Sequence, residues 1–243
     1  MKYKLVLDFG NTLKKIAVFQ GDHQVDYRTS EGDVVGAIEE LKKQYPLIQA
    51  AILSSVVKID LHTMTYLKMN FRFILFNHQL PIPIENKYQS PDTLGRDRIA
   101  AAVGAYLLFP NRNVLVVDAG SSITYEMLTK EGAYLGGAIS PGLNMRAKAL
   151  NTFTDLLPLV ECSKDVALIG IDTDTSLKSG VVKGAIAEVN GMIASFSEEF
   201  DNLQIILTGG DAYYFEKRLN YDIFASGNLV LKGLNYILDY NEH

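Results

Sequence analysis

The sequence predicts an α/β protein built from two related halves, and three observations carry this. A β-rich run ending in Asp-x-Gly opens the chain at Leu5–Thr12 and returns at Val114–Ser121, so Asp118 repeats Asp8 after 110 positions. Each run is followed by two more short β-rich runs separated by a polar turn. Strand and helix patterns then alternate in both halves, which favours an α/β architecture.

In the first half the strands after the opening run are Lys15–Phe19 and Val25–Arg28, with the turn at Gln20–His23. Val34–Tyr45 and Asp60–Asn70 read as helices, and Ala50–Ser54 and Phe71–Phe76 as strands between and after them. Asp97–Leu108 is a helix whose alanines and glycine suit close packing. A boundary near Pro110–Asn113 divides the chain into halves 1–111 and 112–243. The second half repeats the order with strands Ile123–Leu128 and Tyr134–Ile139 around the turn Thr129–Gly132. Helices at Leu143–Asn151 and within Thr175–Phe200, a buried strand at Gln204–Leu207 and a closing helix at Leu229–Tyr240 complete it.

Composition limits the function classes. Hydrophobic residues make up 48% and charged residues 21% of the 243 residues, with only 7 prolines, as in an ordinary globular chain. The net charge of −5 argues against a nucleic-acid partner, which normally requires a basic face. A nucleotide is no obstacle, since backbone amides and a metal neutralise its phosphates locally. Cys162 is the sole cysteine and can form no internal disulfide, which is compatible with a reducing cytosol. Lys2 and Lys4 precede an early Asp8 without a long apolar segment, and no run approaches the roughly 20 apolar residues of a membrane span. A cytoplasmic protein without a membrane partner is expected. His23, His62, His78 and His243 show no metal-ligand spacing.

The paired Asp-x-Gly turns suggest chemistry. A turn without a bulky side chain lets backbone N–H groups approach a phosphate, and an adjacent carboxylate can address the accompanying metal. One such turn is often only the end of a strand; two at matching positions in matching meanders say more.

Asp8-Phe9-Gly10-Asn11-Thr12, Gly95-Arg96-Asp97-Arg98, Asp118-Ala119-Gly120-Ser121 and Gly136-Gly137-Ala138-Ile139-Ser140-Pro141-Gly142 together resemble the ordered motifs of type III pantothenate kinases. Thr208-Gly209-Gly210-Asp211-Ala212 and Leu229-Val230-Leu231-Lys232-Gly233-Leu234 continue the match. The resemblance implies duplicated ribonuclease-H-like, actin-like halves around a nucleotide cleft. It also implies a homodimer that phosphorylates pantothenate with ATP to 4'-phosphopantothenate, the first step of coenzyme A biosynthesis. Magnesium would accompany ATP, and a monovalent cation, potassium or ammonium, would activate.

Residue by residue, the resemblance makes Asp8, Phe9, Gly10, Asn11, Thr12, Leu13, Lys14 and Lys15 the first nucleotide-binding segment, with Asp8 addressing magnesium through water. An ordinary hairpin turn is the plainer reading of that segment taken alone. Asp97 matches the general base; the alternative is a carboxylate in a first helical turn, suited to the helix dipole. Gly95, Arg96 and Arg98 accompany Asp97 at the pantothenate site, although Arg98 alone reads equally as a surface ion pair. Tyr88, seven residues before Gly95, matches a substrate-contacting tyrosine able to supply a wall and a hydroxyl. Thr173, seven residues before Gly180, matches a substrate-binding threonine within Asp172-Thr173-Asp174-Thr175, itself a helix-capping pattern.

Asp118 matches the monovalent-cation ligand and Ser121 the hydroxyl that contacts ATP. Ser121 stands where the family often has Thr, and Glu126 where it usually has Asp, which leaves the role of Glu126 open. Thr208–Ala212 is expected to open a helix after a strand, a setting for phosphate or adenosine contact. Tyr213-Tyr214-Phe215 reads as helix packing, and Cys162 as inert. The rival readings are another small-molecule kinase of the same superfamily, such as a sugar kinase, and a non-enzymatic accessory or regulatory protein.

Overall fold

The computed structural model describes residues 3–242, so Lys2 and His243 lie outside the described residues. The first strands are β1 (Tyr3–Phe9), β2 (Lys14–Gln20) and β3 (His23–Ser30), followed by α1 (Val34–Gln44), β4 (Ile48–Ser55), α2 (Leu61–Asn70) and β5 (Arg72–Leu75). A short β6 (Glu85–Asn86), a 3-10 turn at Pro91–Thr93 and α3 (Arg96–Leu108) come next. The sheet order is β3-β2-β1-β4-β5: β1, β2 and β3 form an antiparallel meander, and β4 and β5 run parallel to β1.

Alternation in β1 decides what each face buries. Leu5, Leu7 and Phe9 point into a core with Ile16, Val18, Ala51 and Leu53, closed by Val34, Ile38 and Leu41 of α1 and Leu67 of α2. Asp33 and Asp60 start the two helices, accepting hydrogen bonds from the Gly36 and Thr63 amides. The intervening residues of β1, Lys4, Val6 and Asp8, lie on the opposite face and are also buried.

The later elements are β7 (Val114–Ala119), β8 (Ser122–Leu128), β9 (Ala133–Pro141), α4 (Leu143–Thr152), α5 (Thr173–Glu199), β10 (Gln204–Thr208), β11 (Ile223–Ala225) and α6 (Leu229–Tyr240). Their sheet order is β11-β10-β7-β8-β9-β6. Read from β9, the order β9-β8-β7-β10-β11 repeats β3-β2-β1-β4-β5. β7 pairs antiparallel with β8 and parallel with β10, as β1 does with β2 and β4. The duplication visible in two Asp-x-Gly runs is therefore a duplication of topology. The second core gathers Leu115, Val117, Tyr125, Leu143, Val181, Val189, Leu207 and Phe215.

Two compact units result, and they are not contiguous in sequence. The first comprises the chain up to Pro110, Gly132–Leu135 and the residues from Asn228 onward; the second comprises Asn111–Glu131 and Gly136–Gly227. A single cut at 111/112 leaves α6 with the second half, whereas α6 packs along α3 and against β1 and β4. Its buried face, including Leu234, Ile237 and Leu238, supplies the apolar surface, and the Lys4 ammonium meets Asp239 at 2.5 Å.

One expected element is different. Thr208–Ala212 opens only a 3-10 turn, Ala212–Tyr214, in the place that α2 occupies in the first topology. Tyr214 and Phe215 are packed into the core directly after this turn. The expected helix N-terminus for a phosphate is absent there, while the reading of Tyr214 and Phe215 as packing residues holds.

Candidate active site

In the first unit, Asp8 is the penultimate residue of β1, and Phe9 is the last before the turn. The Gly10 amide donates to the Leu13 carbonyl at 3.1 Å, closing a tight turn that leaves Asn11, Thr12 and Leu13 exposed. Such a turn presents main-chain groups to a ligand. Phe9 contributes only backbone, because its ring is buried in the core, with the Lys14 ammonium 5.5 Å from the ring centre. Asp8 is 5% exposed, and its carboxylate lies 3.9 Å from the Lys15 ammonium. Register places Lys15 of β2 on one side of Asp8 and Ser54 of β4 on the other.

The same strand ends receive the start of α3. Arg96 Nη1 donates to the Ser55 carbonyl at 2.8 Å, tying the helix to the end of β4. Gly95 is the N-cap and Asp97 falls in the first turn, so Asp97 does not cap the helix from the N-cap position. Its Oδ1 accepts from the Arg98 amide at 2.9 Å. A side chain at Gly95 would approach that oxygen to 2.6 Å, so glycine gives the Asp97 carboxylate its room.

Arg98 is buried rather than a surface ion pair, and its guanidinium carbon is 5.8 Å from the Tyr88 ring centre. Tyr88 itself is half-buried, with its amide on Asn86 and its ring 6.3 Å from that of Tyr134. The first unit thus brings together Asp8–Lys15, Gly95–Arg98 and Tyr88. It adds Ser54 and Ser55, which sequence reasoning passed over although a Ser-Ser pair closes an otherwise apolar strand.

The second unit carries the other expected residues. Asp118 is the penultimate residue of β7, in register with Thr124 and Thr208, as Asp8 is with Lys15 and Ser54. Gly209 has φ +98°, and a side chain there would stand 2.1 Å from the Ala119 carbonyl oxygen and 2.5 Å from Asp118 Oδ1. Only glycine permits both the conformation and the approach. Asp118 Oδ1 and the Ala119 carbonyl therefore sit against one main-chain turn. Asp211, in that turn, donates its amide to Ala119, and burial pushes its carboxyl above the ordinary range.

Ser121 is exposed in the turn between β7 and β8, and Glu126 is fully buried within β8. Thr173 is the first residue of α5, exposed behind an Asp172–Thr175 capping box, in a pocket with Leu150, Leu157, Ile171 and Leu177. Cys162 is part-buried, and burial raises its thiol above the ordinary value, as suits an unreactive side chain. No sequence signal pointed to Glu188, whose carboxylate gathers Tyr125, Ser140 and Arg146 from three other elements. Among the described residues no cluster of three or more His, Cys, Asp or Glu side chains could hold a metal by itself.

The repeated five-stranded topology with aspartates at matching strand ends defines a two-unit α/β phosphotransferase-type fold. A ROK hexokinase from Thermus thermophilus shares it with TM-score 0.54 at 15% identity, covering 99% of this chain and 100% of that one. A structure described as a conserved putative Baf family transcriptional activator from Campylobacter jejuni aligns with TM-score 0.63 at 24% identity, over 98% of each chain. Residues 4–195 match the type III pantothenate kinase family, and the chain belongs to that family. Among its relatives, a type III pantothenate kinase of Christiangramia forsetii is 42% identical over 98% of each chain, and one of Phocaeicola vulgatus is 40% identical over 98% of each.

Proposed function

We propose that this chain transfers the γ-phosphoryl group of ATP to the primary hydroxyl of pantothenate, giving 4'-phosphopantothenate and ADP at the head of coenzyme A biosynthesis. One observation carries the reading beyond family membership: the Arg96–Ser55 hydrogen bond fixes the helix start bearing Asp97 to the strand ends bearing Asp8. A phosphate-facing carboxylate and a separate candidate base thus belong to one rigid corner.

In this reading Asn11–Leu13 and the Gly10 turn present amides to the phosphates, and Lys15 leaves Asp8 to meet them. Asp97 accepts the proton of the attacking hydroxyl as the O–P bond forms and the bond to the ADP oxygen breaks. The transition state is loose and the proton leaves late, so a weak carboxylate base serves, chiefly by aiming the oxygen. Tyr88 and Arg98, whose guanidinium carbon lies 5.8 Å from the Tyr88 ring centre, hold pantothenate, whose carboxylate and amide suit a guanidinium and a phenol. Ser121 is a second candidate ATP contact, and Thr173 contributes to a pantothenate site.

Asp8 fits magnesium. A nearly buried carboxylate, outside any metal-holding group of three or more His, Cys, Asp or Glu among the described residues, matches an ion that keeps its waters and binds mainly through phosphate oxygens. When bound, magnesium would neutralise charge on those oxygens. Asp118 Oδ1 and the adjacent Ala119 carbonyl suit a weakly held monovalent cation, potassium or ammonium, which prefers several oxygen ligands.

The homodimer belongs to the same reading. Phe153, Leu156, Leu168, Ile169 and Ile171 of the second unit are 76–91% exposed, and Ile171 lines the Thr173 pocket. A cytoplasmic location, where ATP is supplied, belongs to the same reading, and the single cysteine is compatible with it. Among the described residues no helix is long and apolar enough to cross a membrane. The experiment is ADP release by purified protein with ATP, magnesium and potassium across a panel of acceptor alcohols. Turnover with pantothenate above all sugars is expected, and turnover with a sugar alone removes the assignment.

A further inference from the structure

Ser54 is 0% exposed, and its hydroxyl has no hydrogen-bond partner among the described residues. A buried hydroxyl left unpaired destabilises a fold, so its presence calls for a reason. The face of β4 on which it lies otherwise carries Ala50 and Ile52, and nothing in that packing requires a polar atom.

Its neighbour supplies the reason. Ser54 is in register with Asp8 on the adjacent parallel strand, and residues so paired point to the same face. Strands about 4.8 Å apart bring a serine hydroxyl within hydrogen-bond reach of an aspartate through one rotamer change. Asp8 instead leans toward Lys15, which flanks it in register on β2 at 3.9 Å. The carboxylate thus has two flanking partners, one charged and engaged, the other neutral and waiting. The second unit repeats the register, with Thr208 beside Asp118.

We infer that Ser54 is a positioning residue for Asp8: its hydroxyl donates to the Asp8 carboxylate once Lys15 has turned to the phosphates of a bound nucleotide. The inference rests on the reading above that Asp8–Lys15 binds the nucleotide. Asp8 then keeps a fixed orientation toward the hydrated cation that accompanies ATP, and the unpaired hydroxyl of the ligand-free fold becomes paired. Removing that hydroxyl costs binding, not folding.

The test uses the full chain with Ser54→Ala, Ser54→Thr and Asp8→Asn, reading the ligand-free thermal midpoint and calorimetric ATP affinity with magnesium or with EDTA. Ser54→Ala should leave the midpoint unchanged or raised. It should weaken magnesium–ATP binding about 10-fold, the scale of one hydrogen bond to a charged group. Metal-free ATP binding should hardly change, and Ser54→Thr should restore the loss. In the Asp8→Asn background Ser54→Ala should have no further effect, since the two act as one unit. A lowered midpoint with native magnesium–ATP affinity overturns the inference, as does an undiminished Ser54→Ala effect without Asp8. Native magnesium–ATP binding by Asp8→Asn overturns the nucleotide assignment itself, and Ser54 with it.

Discussion

Arg96 Nη1 donates to the Ser55 carbonyl at 2.8 Å, so the first residue of α3 is held to the last residue of β4. The bond reaches across 41 positions of sequence, and it decides where Asp97, one residue further along the helix, can point. Arg96→Met keeps the length and the apolar stem but removes the donor. We expect kcat to fall about 10-fold, because a small displacement of a positioned group is costly. The thermal midpoint should drop by only a few degrees. Arg96→Lys, still a donor but without the planar fork, should fall between the two. Steady-state kinetics beside differential scanning would show it; full kcat in Arg96→Met would sink the positioning role.

Asp118 and Gly209 make the second prediction. The Gly209 backbone lies against Asp118 Oδ1 and the Ala119 carbonyl, the oxygen atoms that the proposed reading gives to a monovalent cation. Replacing potassium by sodium should therefore lower the rate of the native chain, and Asp118→Asn should blunt that difference. Gly209→Ala should do the same by pushing into the turn, given φ +98°. Equal rates in both salts for the native protein would count against the cation site.

Much of this was legible beforehand, and the exceptions have physical causes. Asp8 and Asp118 could be paired from sequence because each closes an apolar run with a turn-forming glycine, a local signal. The meanders and α1 to α5 followed from the alternation of strand and helix patterns and, for α5, from the capping pattern at Asp172–Thr175, while the Asp33 and Asp60 caps of α1 and α2 emerge from the structure. Ser54 carried no assignment, and Arg96 read as a residue of the pantothenate site rather than as the tie to Ser55, because the pairings with Asp8 and Ser55 exist only once the sheet forms. The 3-10 turn at Ala212–Tyr214 was misjudged as a helix start because a strand followed by Gly-Gly has the same local appearance. Burial of Tyr214 and Phe215 decides it. The placement of α6 with the first unit depends likewise on its packing against α3, not on its own pattern.

Glu188 makes a prediction about acid stability. Ser140 Oγ donates to Oε1 and Arg146 Nη2 to Oε2, each at 2.5 Å, and the Tyr125 hydroxyl donates at 3.2 Å. Burial alone would raise the Glu188 carboxyl, but the hydrogen bonds from Ser140 and Arg146 outweigh it and hold the group below its ordinary value of 4.5. Burial first, then the Glu188 charge, raises the Tyr125 phenol, so it remains a donor throughout. A carboxyl depressed in the folded state stabilises fully above its unfolded pKa, and that contribution is lost as pH falls through the folded value. The native midpoint should therefore drop faster than that of Glu188→Gln below about pH 4.5. Above that pH the variant should be the less stable, having lost the Arg146 ion pair. Parallel pH profiles of the two midpoints would refute the linkage.

Asp97 provides the sharpest test of the mechanism. It lies in the first turn of α3, but Gly95 is the N-cap, and the Asp97 carboxylate accepts from the Arg98 amide. Asn at this position keeps the size and an oxygen acceptor for the Arg98 amide, so folding should survive. It cannot accept the hydroxyl proton. General-base contributions of roughly 10²–10⁴-fold set the expected loss in kcat, about 3–5 kcal/mol of transition-state stabilisation. ATP affinity should change little, because the nucleotide is read as resting on Asp8–Lys15. The informative measurement is kcat beside the thermal midpoint and the ATP dissociation constant, all on one preparation. A fall of that size with midpoint and affinity preserved places Asp97 on the attacking hydroxyl. Near-normal turnover, or a loss that tracks the midpoint, would leave Asp97 a charge at a helix start and move the proton to another acceptor.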